Sequence, residues 1–480
     1  MNYRMIVNIL GKVLLAEVLL LLLPMSAALY YHESPLPFLY TIAPLAVLSL
    51  AMIFLFKPTH DDLFAREGFL CTGLAWILMS AFGALPFVFS GDIPNYLNAF
   101  FETVSGFTTT GASILTNPET MSRGCMFWRL FTHWIGGMGV LVLIAAVLPV
   151  SGNHYIHIMR AEVPGPTVSK LVPRARKTAR ILYVIYMVLT LLEIFFLLAG
   201  GLGFFDSVLH AFATAGTGGF STRAASIAAF DSVYVEMVVS VFMLLFGCNF
   251  NLFFLMLTGE ILLALKSEEF RVYLCIVAAS VFAIAGNIAY QVGGFTNGLR
   301  YSFFQVATII STTGFSSANF DNWPEFSRWI LVLLMFIGGC AGSTGGGIKV
   351  SRIILLVKSY FTEIKKLVLP SRMKKVWFES RPVEAVTLRT IHVFFSLYIA
   401  IAFISVLILS LDGHDLTTNF TASVACISNV GPGLSGVGPA CNYLFFSPLS
   451  KIVLIFEMLL GRLELFPMIL LLSPSMWKSK

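Results

Sequence analysis

Charge is what this sequence lacks most. Asp, Glu, Lys and Arg make up 12% of its 480 residues, whereas soluble domains carry roughly 25%. Hydrophobic residues make up 57%, and the mean hydropathy is +0.85. A chain this apolar cannot bury its hydrophobic side chains in a soluble core alone, so part of its surface must face lipid. The composition therefore excludes an ordinary soluble domain and predicts a membrane protein.

The sequence also lacks the patterns of a disulfide scaffold, a metal site or an active site. Its seven cysteines are odd in number and scattered, with no CxxC, and its eight histidines form no HExxH. Structural disulfides and a zinc site are therefore not expected. No nucleophile–base pair stands out, so we expect neither an enzyme nor an organic cofactor. The first apolar run has no A-x-A-like cleavage site, which predicts a retained helix rather than a signal peptide.

The long apolar runs predict ten membrane-spanning helices, because about 20 apolar residues cross a bilayer. Barrel strands would instead alternate apolar and polar residues over about ten positions. Between spans three and four, five and six, seven and eight, and nine and ten lies a shorter amphipathic segment followed by a Gly/Thr/Ser loop. Such segments are too short to span and predict re-entrant helices. The predicted spans are 5–31, 37–56, 68–90, 126–149, 180–203, 233–264, 271–291, 326–369, 387–411 and 448–472.

The basic residues predict the orientation of these spans. With both termini in the cytoplasm, 21 Lys and Arg residues lie on the cytoplasmic side and six on the outer side. This bias fits the positive-inside rule, and it also explains the net charge of +6 without nucleic acid. The four glycine loops then enter from outside. The basic stretch 365–381 has two interpretations that remain open: a topology signal that touches anionic lipid, or a docking surface for a cytosolic partner.

An internal repeat is the central feature of the chain. The tripeptide Gly-x-Ser occurs only four times, at spacings of 108, 95 and 119 residues, and each short loop contains one copy. Segments with helical character precede the copies at 96–105, 207–215, 296–309 and 416–428, with Asp206 and Asp415 as expected N-caps of two of them. Ordinary extracellular turns are the alternative, but they would not each follow a half-length apolar helix. The four copies are Gly111-Ala-Ser113, Gly219-Phe-Ser221, Gly314-Phe-Ser316 and Gly433-Leu-Ser435.

Four such loops around one axis suit a cation pore. Glycine permits positive φ, so that successive carbonyl groups can point the same way. Rings of carbonyl oxygens can replace the hydration shell of an alkali cation. The C-termini of the short helices, which carry partial negative charge, would face the pore and favour cations. Because the lining is nearly free of carboxylates, a divalent-cation pore is disfavoured. The expected fold class is an all-α polytopic membrane protein with four pseudo-symmetric helix–pore-loop–helix repeats, two extra N-terminal spans and a K⁺-channel-like pore.

At this point the chain resembles the Trk/Ktr/HKT superfamily of cation transporters over essentially its whole length, and the TrkH family of potassium-uptake subunits most of all. The resemblance rests on the repeat plan and on the motifs Ser105-Gly-Phe-Thr-Thr-Thr-Gly-Ala-Ser113 and His133-Trp-Ile-Gly-Gly-Met-Gly139. It implies two N-terminal helices at 1–60 and repeats at 61–160, 161–266, 267–375 and 376–480. It also implies K⁺-binding backbone carbonyls at Thr110, Gly111, Gly218, Gly219, Thr313, Gly314, Pro432 and Gly433. The fourth repeat departs from the Thr-rich pattern at Gly431-Pro432, which predicts only pseudo-fourfold symmetry.

The eighth predicted span is interrupted by six glycines in ten residues, from Gly338 to Gly347. Each glycine costs about 1 kcal/mol in a helix interior relative to alanine, so this stretch will not stay helical. A P-loop is disfavoured because Lys349 does not directly follow a glycine and no strand precedes it. A kink for close helix packing stays open. The resemblance favours a gating loop below the filter, formed by Gly338, Gly339, Gly342, Gly345, Gly346, Gly347 and Lys349.

Arg462 lies inside the last predicted span, where a buried arginine is expensive and usually functional. It is either ion-paired with Glu457 or Glu464, or, as the resemblance implies, a positive charge under the filter. His133, Asn249 and Asn251 either line the inner cavity or are satisfied polar side chains between helices.

Two transport functions remain open. The first is K⁺ uptake across the bacterial inner membrane through a gated, channel-like pore. The second is a KtrB-like symporter that couples K⁺ to H⁺ or Na⁺, for which Glu193, Glu236, Glu260 and Glu457 are candidate carboxylates. The resemblance further implies K⁺ as the bound ion, with Rb⁺ and Na⁺ as possible alternatives, a homodimer, and a cytosolic nucleotide-binding subunit of the TrkA type.

Overall fold

The computed structural model describes residues 2–57, 65–139, 175–368 and 375–474, and these residues form an almost entirely helical protein. Six of the described helices are long and apolar enough to cross a membrane, namely Tyr3–Tyr30, Leu36–Leu55, Arg66–Ser90, Arg180–Ala199, Glu268–Ile288 and Ala385–Asp412. A helix pair, Val233–Phe246 and Phe250–Leu257, bends by 92° at a short break and would make a seventh span. The chain is therefore an all-helical membrane protein with several apolar spans.

The four short helices form close to where the sequence predicts them. Each is 12 to 16 residues long, too short to cross a bilayer, and each leads into a glycine loop. We call them short helices 1 to 4: Tyr96–Phe107, Phe204–Ala215, Phe295–Ile310 and Leu416–Ile427. Asp415 caps short helix 4 as predicted, because its carboxylate accepts the Thr418 N–H at 3.0 Å. The Thr418 hydroxyl and backbone N–H hold the pKa of the Asp415 carboxyl below its ordinary value.

The predicted N-cap at Asp206 is wrong. Short helix 2 begins at Phe204 with Gly203 as its N-cap. Asp206 lies in the first turn, where its carboxylate accepts the Thr222 hydroxyl at 2.7 Å and pairs with Arg223 at 3.3 Å. These contacts hold the chain that returns from the glycine loop against the start of the helix, which explains why Asp206 is not free to cap it.

The helices that follow the short helices are broken more often than the sequence predicts. The expected break at 338–349 separates Glu325–Ile337 from Val350–Val368. The predicted span 233–264 is also broken, first at Gly247–Asn249 and again before Ile261–Lys266, and the predicted span 448–472 is broken between Pro448–Arg462 and Phe466–Leu472. Short helices 1 and 4 also pack closely against the helices that follow them. A Cβ at Gly136 would lie 1.9 Å from the Phe107 oxygen, and one at Gly461 would lie 2.1 Å from the Ile427 oxygen, so no side chain fits at either position.

The remaining elements frame this centre. The N-terminal helices Tyr3–Tyr30 and Leu36–Leu55 pack as an antiparallel pair, in which Asn8 Nδ2 donates to the Ile53 carbonyl at 2.9 Å. Taken helix by helix, the span Arg66–Ser90 consists of Ala65–Gly83 and Leu85–Ser90, the span ending at Ala199 lies within helix Ala175–Ala199, and Ala385–Leu409 is continued to Asp412 by a 3₁₀ turn. Helix Arg123–Gly137 lies between short helices 1 and 2 in the chain. A two-stranded hairpin, Trp377–Phe378 with Arg381–Pro382, precedes helix Ala385–Leu409. The fully buried side chains of the short helices place the candidate site at the middle of the helix assembly.

Candidate functional site

All four short helices end in the same hydrogen-bonded turn. In each, the residue after the last helical turn takes a left-handed conformation, with φ between 54° and 60°, at Thr109, Thr217, Thr312 and Asn429. The next residue donates its N–H five residues back, in the bonds Thr110 to Ser105, Gly218 to Ala213, Thr313 to Thr308 and Val430 to Ala425, at 2.8 to 2.9 Å. This is the Schellman closure. It turns the chain sharply at the same point of each loop.

A glycine follows two residues after each left-handed Thr or Asn. Its φ is again positive, at 81°, 76°, 87° and 91° for Gly111, Gly219, Gly314 and Gly431. Only glycine adopts this conformation without steric cost. The alternation of left-handed and extended residues turns successive carbonyl groups of each loop in a common direction.

The four glycines close a ring of backbone contacts. A Cβ on Gly111 would lie 2.1 Å from the carbonyl oxygen of Gly218 in the second loop. The same holds for Gly219 against the Thr313 oxygen at 2.0 Å, for Gly314 against the Val430 oxygen at 2.1 Å, and for Gly431 against the Thr110 oxygen at 2.6 Å. Each loop therefore touches the next, and the fourth touches the first. No side chain fits at any of the four glycines.

This ring corrects the predicted register of the fourth loop by two residues. Gly431, and not Gly433, stands where Gly111, Gly219 and Gly314 stand in the other loops, and Val430 replaces the predicted Pro432. Gly433 has no positive φ, and a Cβ there would meet the side chains of Thr421 and Val437 instead of a neighbouring loop. The Gly-x-Ser match is thus coincidental in loop 4. The pattern Thr/Asn-x-Gly at 109–111, 217–219, 312–314 and 429–431 was the signal that fits all four.

An open cavity of about 150 Å³ lies directly outside the ring. All four ring glycines line it, together with Arg129 of helix Arg123–Gly137 and residues that follow the ring glycines, such as Phe220 and Tyr443. The Tyr443 hydroxyl donates to the carbonyl of Gly431 at 2.6 Å, and its N–H donates to the carbonyl of Ser113 at 2.8 Å. Tyr443, which the sequence motifs do not single out, therefore joins the first and fourth loops beside this cavity.

A buried ion pair braces the first two loops. Glu102 and Arg129 are 1% and 3% exposed, and the Arg129 Nε lies 2.7 Å from Glu102 Oε1. Arg129 also donates to the Ser221 carbonyl at 3.1 Å, and its guanidinium lies 3.7 Å from the centre of the Phe220 ring. Glu102 accepts the Ile114 N–H at 2.9 Å. Breaking a buried pair of this kind leaves an uncompensated charge and costs about 3–5 kcal/mol.

The other three loops have equivalent braces from their own short helices. In each, one polar side chain near the middle of the helix bonds to the segment that returns outward. His210 Nε2 is 2.9 Å from the Ser221 hydroxyl, and Gln305 Nε2 donates to the Ala318 carbonyl at 3.3 Å. Behind the fourth loop, the Thr421 hydroxyl of short helix 4 accepts the Leu434 N–H at 2.9 Å. The loops are therefore fixed by side chains behind them as well as by one another.

His133 lies against the second loop rather than in an open cavity. Its ring is fully buried, with Nδ1 2.8 Å from the Gly106 carbonyl and Nε2 3.2 Å from the Phe220 N–H. Because Nε2 must accept from that N–H, Nδ1 carries the proton and donates to Gly106. A Cβ on Gly218 would lie 2.2 Å from the His133 ring, which explains why the second loop has Gly218 where the first and third have Thr110 and Thr313.

The 338–349 loop lies against the inner side of the ring. The Gly346 N–H donates to the Thr312 hydroxyl at 2.6 Å. A Cβ on Gly345 would lie 2.7 Å from the Ser311 oxygen, and one on Gly346 would lie 2.2 Å from the Ser428 oxygen. The loop is thus seated on the C-terminal ends of short helices 3 and 4, where their exposed carbonyls carry partial negative charge.

The broken helix 233–257 forms the other wall of this loop. The Cys340 N–H donates to the Gly247 carbonyl at 2.9 Å, and the Phe250 N–H donates to the Gly342 carbonyl at 3.0 Å. A Cβ on Gly339 would lie 3.0 Å from the Gly247 oxygen, and one on Gly338 would meet Gly346 and Gly347 of the same loop. Asn249 caps Phe250–Leu257 by accepting the Asn251 N–H at 3.0 Å, so its contacts are those of a structural side chain.

Two cationic side chains sit among the carbonyls beneath the ring. Arg462 Nη1 donates to the Thr344 carbonyl at 2.7 Å and to the Thr109 hydroxyl at 3.3 Å, and Nη2 donates to the Gly136 and Gly137 carbonyls. The Lys349 ammonium group is buried and donates to the Gly345 carbonyl. Of the acidic partners expected for Arg462, Glu464 pairs with Arg352 and Glu457 accepts the Ser423 hydroxyl at 2.6 Å.

The carboxylates proposed for ion coupling lie apart from the ring. Glu236 is bound by Arg300 at 2.6 Å, and Glu260 is exposed in a break between helices. Glu193 is fully buried behind short helix 2, and its two oxygens have no hydrogen-bond partner among the described residues. None of the four is brought next to a ring glycine, although Glu193 and Glu457 are buried in the membrane-spanning part.

Comparison with known proteins decides the family. The profile of the TrkH family, described as a cation transport protein, matches residues 38–274 and 295–479. The chain belongs to the TrkH family. It is 36% identical over 487 residues to the Trk system potassium uptake protein TrkH of Escherichia coli K12 and 35% identical over 489 residues to that of Vibrio parahaemolyticus, with full coverage of both chains in each case.

The fold agrees with this assignment. The crystal structure of the potassium transporter TrkH from Vibrio parahaemolyticus superimposes with a TM-score of 0.89 at 33% identity, over 100% of both chains. The TrkG protein of Escherichia coli K12 is 31% identical over 484 residues. The chain is therefore a multi-pass membrane protein with the TrkH fold, in a family of transporters and not of enzymes.

Proposed function

We propose that this protein takes up K⁺ across the bacterial inner membrane through a gated, channel-like pore. The observation that carries the proposal is the closed ring of four loops, in which every glycine abuts a carbonyl of the next loop. Such rings replace the hydration shell of an alkali cation. The full-length relatives are potassium uptake proteins of Trk systems, which supports K⁺ as the ion.

In this proposal the selectivity filter consists of the backbone carbonyls of four loop segments. They are Thr110 and Gly111, Gly218 and Gly219, Thr313 and Gly314, and Val430 and Gly431. The C-terminal ends of the four short helices add partial negative charge on the inner side, which favours a cation there. The cavity outside the ring serves as the entrance. The same arrangement underlies four helix–loop–helix repeats at 61–160, 161–266, 267–375 and 376–480, after two N-terminal spans.

The 338–349 loop is the gate in this proposal. Its glycines let the backbone lie flat against Ser311, Thr312 and Ser428, on the path that a dehydrated ion would follow out of the ring. Arg462 and Lys349 place two positive charges among the carbonyls at the same point. These charges keep cations from resting there, because they satisfy the carbonyls that an ion would otherwise use. Opening requires the loop to leave the axis.

Topology and partners complete the proposal. Both termini lie in the cytoplasm, in agreement with the bias of 21 to six basic residues. The membrane part forms a homodimer, and a cytosolic nucleotide-binding subunit of the TrkA type regulates it. The exposed apolar side chains of the long helices, such as Leu19, Leu407 and Phe195, face the bilayer.

A symporter is the second candidate, because Glu193 is buried without a hydrogen-bond partner among the described residues. Single-channel recording of the purified protein in a planar bilayer separates the two. A conductance far above a carrier's turnover, with reversal at the K⁺ equilibrium potential at every pH and Na⁺ concentration, supports the channel. A reversal potential that shifts with the proton or Na⁺ gradient contradicts it and supports coupling.

A further inference from the structure

Backbone hydrogen bonds join the two ends of the 338–349 loop, and we call these joined ends its neck. The Ile348 N–H donates to the Phe336 carbonyl at 3.0 Å and the Lys349 N–H to the Ile337 carbonyl at 2.8 Å. The Val350 N–H donates to the Gly339 carbonyl at 3.0 Å. The two ends of the loop therefore stay together, and only its tip, from Cys340 to Gly347, can leave the ring without unfolding the neck.

One carboxylate holds the point where tip and neck meet. Glu269 is 5% exposed, and its Oε1 accepts the Ala341 N–H at 2.7 Å and the Ser351 N–H at 3.1 Å. Hydrogen bonds from N–H groups to an ionised carboxylate are among the stronger ones in proteins. A single oxygen thus ties the start of the tip to the start of helix Val350–Val368. If the tip moves away from the ring, either these hydrogen bonds break or Glu269 moves with the tip.

The backbone of Glu269 is in turn held from outside the loop. Its N–H donates to Glu379 Oε1 at 3.1 Å, and the Ser267 hydroxyl donates to the same oxygen at 2.8 Å. Glu379 therefore adds a negative charge at the N-terminus of helix Glu268–Ile288, where the helix dipole favours it. The side chain and the main chain of Glu269 belong to one rigid first turn, so the position of Glu379 bears on the position of the loop.

Glu379 stands at the tip of the exposed hairpin Trp377–Pro382, on the cytoplasmic side in the proposed topology. Glu379 and Ser380 both have positive φ, 47° and 61°, which is the two-residue turn that normally selects Asn-Gly. The hairpin is also bound to the helix after the loop, because Lys358 Nζ donates to the Trp377 carbonyl at 2.8 Å and pairs with Glu268. The hairpin thus contacts both helices that support the loop.

We propose that Glu379, Glu269 and the 338–349 loop form a latch, in which the cytoplasmic hairpin keeps the loop on the ring and displacement of the hairpin releases it. Glu269 is a positioning residue of the loop, and Glu379 is the point where a cytosolic partner can act. The latch gives the proposed gate its regulation, and it rests on the proposed function for the consequence on flux. The arrangement of the loop itself can be tested without any ion.

The test follows the chemical accessibility of Cys340, which is fully buried at the start of the loop. Cys340 is kept as the sole cysteine, the other six being replaced by Ala, and the full-length protein is reconstituted into liposomes. Alkylation by a water-soluble maleimide is measured for the parent, Glu379→Ala, Glu269→Gln and the double variant. Glu384→Ala removes an exposed carboxylate two residues after the same hairpin and is the matched control. Monodispersity on gel filtration confirms folding.

The latch predicts that Glu379→Ala raises the alkylation rate of Cys340 by about tenfold, the size expected for losing charge-assisted hydrogen bonds. Glu269→Gln raises it by a similar factor, and the double variant adds little, because both changes break the same link. Glu384→Ala leaves the rate unchanged. An unchanged rate in Glu379→Ala, or fully additive effects in the double variant, overturns the latch.

Rubidium uptake by the same liposomes distinguishes the latch from the proposed function. Faster alkylation together with faster uptake and unaltered K⁺ over Na⁺ preference supports both. Faster alkylation without any rubidium uptake, in a protein that also conducts no K⁺, supports the latch and overturns the pore. Unchanged alkylation with normal uptake overturns the latch and leaves the pore intact.

Discussion

The ring of four loops and the 338–349 loop are both rich in glycine, but glycine serves a different purpose in each. In the ring, the space of each absent Cβ is filled by a backbone carbonyl of the next loop, at 2.0 to 2.6 Å. Those contacts join backbone to backbone, and they close on themselves. In the 338–349 loop, several contacts are hydrogen bonds from side chains that can exchange their partners, among them Arg462, Lys349 and Glu269.

If the 338–349 loop is the gate, as proposed, this difference lets one chain combine a rigid element with a movable one. In the ring, each loop is fixed by its neighbours, by a Schellman turn and by a brace such as Glu102 or Gln305, and the carbonyl oxygens are therefore held in place. A gate needs an alternative position of nearly equal free energy. Contacts made by a few polar side chains can be exchanged for others, whereas interlocked backbone cannot.

Replacement of a ring glycine should have the largest effect. Gly314→Ser places a Cβ about 2 Å from the Val430 oxygen and strains a residue with φ of 87°. Strain of this kind is of the order of 1–3 kcal/mol, and its relief displaces the ring carbonyls. We expect K⁺ over Na⁺ preference to fall by about tenfold or more, measured as competition by Na⁺ in rubidium uptake. Unchanged competition between K⁺ and Na⁺ in a folded variant would contradict the assignment of the ring as the filter.

Deletion of Gly345–Gly347 should have the next largest effect and the opposite sign. It removes the part of the 338–349 loop that lies against Ser311 and Ser428. If this loop is the gate, basal rubidium uptake rises by about tenfold, the change expected when the closed state loses about 1.4 kcal/mol. The preference for K⁺ stays, because the ring is untouched. Reduced uptake by a variant that still elutes as a monodisperse protein would argue that the loop is structural.

Removal of the charge beneath the ring should raise uptake more modestly. Arg462→Gln loses the guanidinium bonds to the Thr344, Gly136 and Gly137 carbonyls, and hydrogen bonds to charged groups contribute about 1.5–3 kcal/mol each in the best cases. Because Lys349 remains, we expect an increase in basal uptake of about threefold, well under that full loss. Arg462→Lys keeps the charge and is the control. Equal uptake in both variants would contradict a role for the charge.

The smallest effect should come from Gly433, and it tests the corrected register. Gly431→Ala places a Cβ 2.6 Å from the Thr110 oxygen, whereas Gly433→Ala meets only the side chains of Thr421 and Val437. Side chains can shift by a few tenths of an ångström and backbone cannot. We expect Gly433→Ala to change K⁺ preference little and Gly431→Ala to change it as Gly314→Ser does. The reverse order would restore the register that the tripeptide suggested.

Much of the architecture could be predicted from the sequence, because it follows from local rules. The four short helices appear within a few residues of their predicted bounds, since their length, polarity and following glycines are local properties. The 338–349 break follows from six glycines in ten residues. The orientation, the repeat boundaries and the pore function stay predictions.

What the sequence could not predict depends on contacts between distant segments. The break at Gly247–Asn249 has one glycine and arises because Phe246 and Gly247 accept hydrogen bonds from Thr344 and Cys340, about 100 residues away. Gly-x-Ser misassigns the fourth ring glycine because it depends on a serine that follows the ring, and Tyr443 and Thr421 shape that following segment differently in loop 4. Asp206 does not cap short helix 2, because its carboxylate binds Thr222 and Arg223 instead.

The most direct test of the account is to locate the ion. A crystal of this protein grown with Rb⁺ or Tl⁺ gives an anomalous signal that marks the cation itself. The proposed filter predicts a peak on the axis of the four loops, within coordination distance of the carbonyls of Thr110, Gly218, Thr313 and Val430, and none at the level of Gly345 and Arg462. A peak beside Gly433, or no peak within the ring, would contradict it.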